Sequence, residues 1–167
     1  MDIVARLLDM AGIGRDRMQL RWVSAAEGPL FAKYATEVTE LTYKLGPFDP
    51  EEFELPLGAV ERTLNSPRIR WLLGMGRSLT QKENVYKEKL RQEEYDKLLQ
   101  GALEEEYHKA LVLEVIQGCP SSVREISGKS GLPVYTVSLR LNDLERSGQA
   151  ELKDYDGTTP KFVGLAA

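Results

Sequence analysis

Apolar and polar positions near the start of the chain predict a helix followed by a strand. The helix carries apolar residues at helical spacing, namely Val4, Leu7, Leu8 and Ala11. Gly12 and Gly14 are expected to end it, because glycine tolerates the backbone geometry of a helix terminus. From Met18 to Val23 apolar and polar side chains alternate, which is typical of a partly exposed strand.

A polar turn and an amphipathic helix follow the predicted strand. Ser24 and Glu27 have the spacing of a capping box, and Pro29 suits the first helical turn. The apolar stripe of this helix comprises Phe31, Tyr34, Ala35, Val38, Leu41, Thr42 and Leu45. Gly46–Pro47 is expected to end the helix. One strand between two helices cannot satisfy its edge amides, so we expect strands from elsewhere to complete this unit.

The middle of the chain is predicted to be an acidic linker followed by charged helices. Residues 49–58, DPEEFELPLG, are expected to form an irregular linker. Ser66–Pro67 marks a helix start, and the apolar positions that follow precede Gly74 and Gly76. After Gln81 the chain mixes charges of both signs, which favours solvated helices that lie across another subunit or across the C-terminal segment.

The C-terminal segment has the pattern of three helices and a hairpin. A first helix is expected to end at Gln117–Gly118, and Ser121 and Ser122 are expected to cap a short second helix. The third helix follows Leu132–Pro133 and has Val134, Val137, Leu141 and Leu144 on one side. A two-stranded ribbon is predicted around Asp156–Gly157.

This order resembles a winged helix–turn–helix domain, and residues 124–152, REISGKSGLPVYTVSLRLNDLERSGQAEL, carry the resemblance. The predicted fold class is α+β, mainly α. It comprises a partial α/β unit (helix–strand–helix) at residues 1–64, a helical linker region at 65–102 and the winged helix at 103–167.

Residues 20–47, LRWVSAAEGPLFAKYATEVTELTYKLGP, resemble the C-terminal part of the methyl-viologen-reducing hydrogenase delta-subunit family. The resemblance extends over residues 1–47 and is most specific at 20–28 and 44–47. It implies an iron–sulfur electron-transfer protein whose remaining sheet and cluster cysteines lie outside this stretch. The cluster cysteines are absent from the sequence, which has one cysteine in all. The resemblance therefore implies no cofactor bound by this chain, with iron–sulfur clusters, and flavin as a further candidate, in partner subunits.

The composition argues against several classes of protein. The net charge of −4 argues against a surface built as a whole for nucleic acid. No stretch approaches about 18 uninterrupted apolar residues, and the N-terminus lacks the basic start of a secretory signal, so we expect a cytoplasmic protein. A single cysteine and a single histidine predict no metal site, and Cys119 is expected to be a small buried residue.

The third C-terminal helix offers either a protein contact or a DNA contact. Residues 120–167 contain six cations and six acids, and this neutral balance lacks the phosphate-neutralising charge that DNA binding uses. Contacts with a protein partner are predicted at Trp22, Ser24, Glu27, Gly28, Phe31, Tyr135 and Leu139. The DNA alternative would use Thr136, Ser138, Arg140, Arg146 and Lys161.

No catalytic constellation is present in the sequence. The stretches GIGRD and GMGRS lack the strand that precedes a phosphate-binding loop, and no nucleophile–base pair can be assembled. We therefore nominate no catalytic residue.

The expected function is a non-catalytic accessory subunit of an electron-transfer complex. Its expected partners are hydrogenase, formate dehydrogenase or heterodisulfide-reductase-like subunits. Two alternatives remain open: a winged-helix transcriptional regulator, and one half of a split delta subunit whose cysteine-rich half is a separate chain.

Overall fold

A computed structural model describes residues 2–165 and divides them into two compact units, the first ending at Glu54 and the second beginning at Leu55. The sequence placed boundaries after residues 64 and 102. The structure has one boundary instead, because the helix at residues 67–81 packs on the long helix at residues 92–118, which also packs on the C-terminal helices.

The first unit contains two helices, α1 (Asp2–Met10) and α2 (Gly28–Leu45), with a short 3-10 helix at Arg15–Arg17 between them. Gly12 and Gly14 have positive φ angles of 73° and 86°, as expected for the end of α1. Arg17 ties the 3-10 helix to the end of α2. Its guanidinium donates to the Leu45 and Gly46 carbonyls at 3.1 and 3.2 Å, which places a cation at the negative end of α2.

The strand predicted at Met18–Val23 is not formed in the structure. This segment is irregular, and the described residues provide no strand beside it. Because an isolated strand has no partner for its ladder hydrogen bonds, the pattern alone cannot make a sheet. The predicted helix–strand–helix unit is wrong in this respect.

The second unit begins with three helices: α3 (Glu54–Asn65), α4 (Pro67–Gln81) and the long α5 (Gln92–Gly118). The predicted linker at residues 49–58 is wrong in its second half, since α3 starts within it. The predicted helix start at Ser66–Pro67 is confirmed. The Ser66 hydroxyl makes no cap, however, but donates to Glu106 Oε2 at 2.8 Å and so ties α4 to α5.

Residues 82–91, predicted to be helical, form a loop that returns to α4. The Asn84 side chain accepts from the Tyr86 and Glu88 amides at 2.8 and 3.0 Å, and the Leu90 amide donates to Leu79. This loop holds Val85 and Tyr86 almost fully in solvent.

The C-terminal part of α5 packs against two further helices, α6 (Val123–Ser130) and α7 (Val134–Arg146), and a hairpin of β1 (Ala150–Asp156) and β2 (Thr159–Gly164). The strands are antiparallel with Ala150 opposite Gly164, and a bulge interrupts the register after Leu152. The core is built from the fully buried side chains of Leu103, Val112, Ile116, Ile126, Val137 and Leu144. The fold class, α+β and mainly α, is confirmed.

No helix within residues 2–165 has the length and apolar character needed to cross a lipid bilayer.

Candidate docking surfaces

The first candidate surface is the extended segment between the two helices of the first unit. Met18 has extended backbone angles of −119° and 112°, and within the described chain the amides and carbonyls of residues 19–23 make no backbone hydrogen bond. Five consecutive residues therefore keep their backbone donors and acceptors available to another chain.

Some side chains of this segment contact α2, and others are exposed to solvent. Arg21 lies over the Tyr34 ring at 5.3 Å and is 3.9 Å from Glu37, both on α2. Leu20 and Trp22 are exposed, and Trp22 keeps 83% of its surface in solvent. Arg21 thus contacts α2, while Leu20 and Trp22 on the apolar side are exposed.

The remaining predicted contacts with a protein partner lie in the turn that leads from this segment into α2 and in the first turn of α2. The Glu27 carboxylate accepts from the Ser24 amide at 2.8 Å, and Glu27 itself is the residue before α2. Ser24 therefore closes a turn ahead of the helix, and the predicted Ser24 cap on α2 is wrong. Gly28 and Phe31 both lie in the first turn of α2 and are exposed.

Little apolar surface is buried in the first unit. Its buried hydrophobic side chains, among the described residues, are Leu7, Ala11 and Ile13, and only Leu7 is fully buried. Within α2, all of which the structure describes, no side chain is fully buried. A unit of this size with so small a core depends on additional contacts for its stability.

The outward face of α7 is the second candidate surface. Tyr135 is 77% exposed and lies one helical turn from Leu139, which is also exposed. Ser138 is exposed beside them, whereas Thr136 is half-buried. This face presents an aromatic ring, a leucine and a hydroxyl group to solvent, without a cation between them.

Two of the predicted DNA-contacting cations are engaged within the domain. Arg140 Nη1 donates to Asp143 Oδ2 at 2.9 Å, and 13% of the Arg140 side chain is exposed. Lys161 donates to both carboxylate oxygens of Glu125 at 2.8 and 2.7 Å. Arg146 is exposed at the end of α7. Arg140 and Lys161 are therefore both held in ion pairs within the domain.

Glu125 connects the hairpin to the start of α6. Besides Lys161, its carboxylate accepts from the Ser122 amide at 2.6 Å and the Ser122 hydroxyl at 2.8 Å, which confirms the predicted cap. Phe162 and Ser121 exchange backbone hydrogen bonds of 2.9 Å beside it. The Lys161 and Ser122 bonds together lower the pKa of Glu125 from its ordinary value of 4.5 to about 2.

We expect the Glu125→Gln variant to lose an acid-sensitive part of the stability. Because the folded pKa lies below the unfolded one, the Glu125 contribution is present above pH 4.5 and is lost as the pH falls towards 2. Urea midpoints of wild type and variant should therefore differ at pH 7 and converge near the low end of that window. Glu151→Gln, an exposed acid on β1, is the matched control. A difference that persists at low pH would contradict the assignment to this carboxylate.

The single cysteine, Cys119, and the single histidine, His108, lie in different environments. Cys119 is exposed, so its predicted burial is wrong; the chain leaves α5 there, and its Sγ lies 3.6 Å from the Lys129 ammonium. His108 is half-buried, and desolvation lowers its pKa. Within residues 2–165 no group of three histidine, cysteine or acidic side chains could hold a metal ion.

No protein-family model, curated protein or solved structure matches this chain. The resemblances to the delta-subunit family and to winged helices stay predictions from the residues themselves.

Proposed function

We propose that this chain is a non-catalytic docking subunit of a cytoplasmic electron-transfer complex. Its first unit binds a subunit that carries iron–sulfur clusters or flavin. The delta-subunit resemblance of residues 20–47 suggests hydrogenase, formate dehydrogenase or heterodisulfide-reductase-like proteins, or a separate cysteine-rich delta-subunit half, as that partner.

The extended segment at residues 19–23 is the observation that supports this proposal most directly. Its backbone hydrogen-bonding groups are unpaired, and its apolar side chains Leu20 and Trp22 face solvent while Arg21 holds the opposite side on α2. These are the requirements for adding a strand to the sheet edge of another protein. Main-chain hydrogen bonds would supply affinity, and a pocket for Trp22 would supply specificity.

The outward face of α7 provides a second contact in this proposal. Tyr135 and Leu139 offer apolar area close to the polar Ser138, a composition suited to protein interfaces. Since the charge of this region is balanced, we favour a protein partner over DNA for this face.

The proposal is tested by anaerobic co-expression of the full chain with each candidate partner. In the Trp71→Phe variant Trp22 is the sole tryptophan, because the sequence has two. Complex formation should shift its emission to shorter wavelength and protect the amides of residues 19–23 from hydrogen exchange. Trp22→Ala should weaken binding about 30-fold, the equivalent of about 2 kcal/mol for an aromatic hot spot.

Trp71→Ala is the matched control, since Trp71 is an exposed tryptophan of the second unit and should leave affinity unchanged. A complex that forms with unprotected amides at residues 19–23 would refute strand addition. Failure of every candidate partner to bind, combined with salt-sensitive binding to duplex DNA, would replace the proposal with the regulator alternative.

A further inference from the structure

Cationic side chains from three helices line a groove in the second unit. Arg68 comes from α4, Lys109 from α5, and Arg140 and Arg146 from α7. The groove has a volume of about 540 Å³, within the range of small-molecule sites. In a chain with a net charge of −4, this is a local concentration of positive charge.

Carboxylates neutralise most of that charge, but not all of it. Arg68 bonds Glu105 at 2.6 Å and Glu106 at 3.4 Å, and Glu106 also pairs with Lys109. Arg140 pairs with Asp143. Four cations and three carboxylates leave one positive charge in this region.

Arginine donors at the groove remain unused. Among the described residues, Arg68 and Arg140 each use only Nη1 in hydrogen bonds, and Arg146 makes no ion pair. Arg140 Nε is the one side-chain nitrogen or oxygen in the described chain that is buried without a hydrogen-bond partner. A buried donor without a partner is costly, so the Arg140 guanidinium would gain free energy by turning from Asp143 towards an acceptor in the groove.

We propose that this groove binds the phosphate group of a small phosphorylated compound. Planar guanidinium groups match the oxygens of a phosphate with paired hydrogen bonds, and three arginines at one groove suit its several oxygens better than the two of a carboxylate. The groove is open to solvent and larger than one phosphate, so it leaves room for the organic part of an ester. Binding requires the Arg140 guanidinium to turn from Asp143, because its Nε is enclosed.

Leu139 belongs both to this groove and to the proposed docking face of α7, so phosphate binding is tested on the full chain alone, without a partner protein. Inorganic phosphate and glycerol 3-phosphate are titrated at constant ionic strength while the arginine Nε–H signals are followed by NMR. We expect a saturable shift of the Arg140 and Arg146 signals. Arg146→Ala should weaken binding about tenfold, and Arg146→Lys less, because lysine keeps the charge but loses the paired donors.

Arg124→Ala, an exposed arginine on α6, is the control and should bind phosphate as wild type does. Tighter binding of the ester than of inorganic phosphate would support an organic ligand, whereas equal affinity would replace it with the free ion. Shifts that do not saturate, that chloride reproduces, or that Arg146→Ala leaves unchanged would overturn the site.

Discussion

Gly76→Ala should destabilise the second unit by about 2 kcal/mol, although alanine is the better helix former. A Cβ atom at position 76 would lie 2.5 Å from Tyr95 Oη and 2.8 Å from Tyr95 Cζ. Tyr95 is buried, and its hydroxyl donates to the Leu72 carbonyl at 2.9 Å. To relieve the clash, either this hydrogen bond breaks or α4 moves away from α5. Either change costs more free energy than the higher helix propensity of alanine contributes.

Gly74→Ala is the matched control in the same helix. A Cβ atom at position 74 would meet nothing within 4 Å, so this variant should gain about 0.5–1 kcal/mol from helix propensity alone. Urea unfolding followed through Trp71 in a Trp22→Phe background measures both variants in the second unit. Tyr95→Phe should partly rescue Gly76→Ala, because it removes the nearer atom. Equal effects of the two alanine substitutions would show that the close approach of α4 and α5 is wrong.

Ile116→Ala should have the largest effect, a loss of about 3–4 kcal/mol. Ile116 is fully buried in the part of α5 that packs against α6, α7 and β2. Truncation removes three heavy atoms from the centre of this core and leaves a cavity that rigid neighbours cannot fill. A loss of this size is a large share of the stability of a small domain, which is about 5–15 kcal/mol.

Leu98→Ala tests the same helix at an exposed position. Leu98 keeps nearly half of its surface in solvent, so we expect its truncation to change stability by less than about 1 kcal/mol. Both variants are measured by the same urea transition. An unchanged slope of the unfolding free energy against urea concentration would show that the substitutions act on the folded core and not on the unfolded state. If Ile116→Ala cost no more than Leu98→Ala, α5 could not be the centre of the core that it forms with α6, α7 and β2.

Much of the second unit could be predicted from the sequence because its signals are local. Ser122 and Glu125 cap α6 through residues three apart, Val137, Leu141 and Leu144 recur at helical spacing, and Gly157 turns the hairpin with a positive φ of 62°. Such features depend on neighbours within about one helical turn, so the residues themselves specify them.

Local patterns did not predict the structure wherever a partner distant in the sequence decides it. Alternation at Met18–Val23 indicated a strand, yet a strand forms only beside another, and none is provided by the described chain. Cys119 looked like a small core residue, but α5 ends just before it and the chain turns outward. Arg140 looked like a DNA contact, but it pairs with Asp143 in a groove built by three helices.

The sequence by itself determined the ends of α1 and α2, the start of α4, the cap of α6, the hairpin and the balanced charge of residues 120–167, since each follows from residue type and short spacing. Only the tertiary structure decided that Gly76 must admit the Tyr95 ring, that Arg21 faces α2 while Trp22 faces solvent, and that four cations share one groove. Those outcomes depend on contacts between elements far apart in the chain, and no local pattern records which elements will meet.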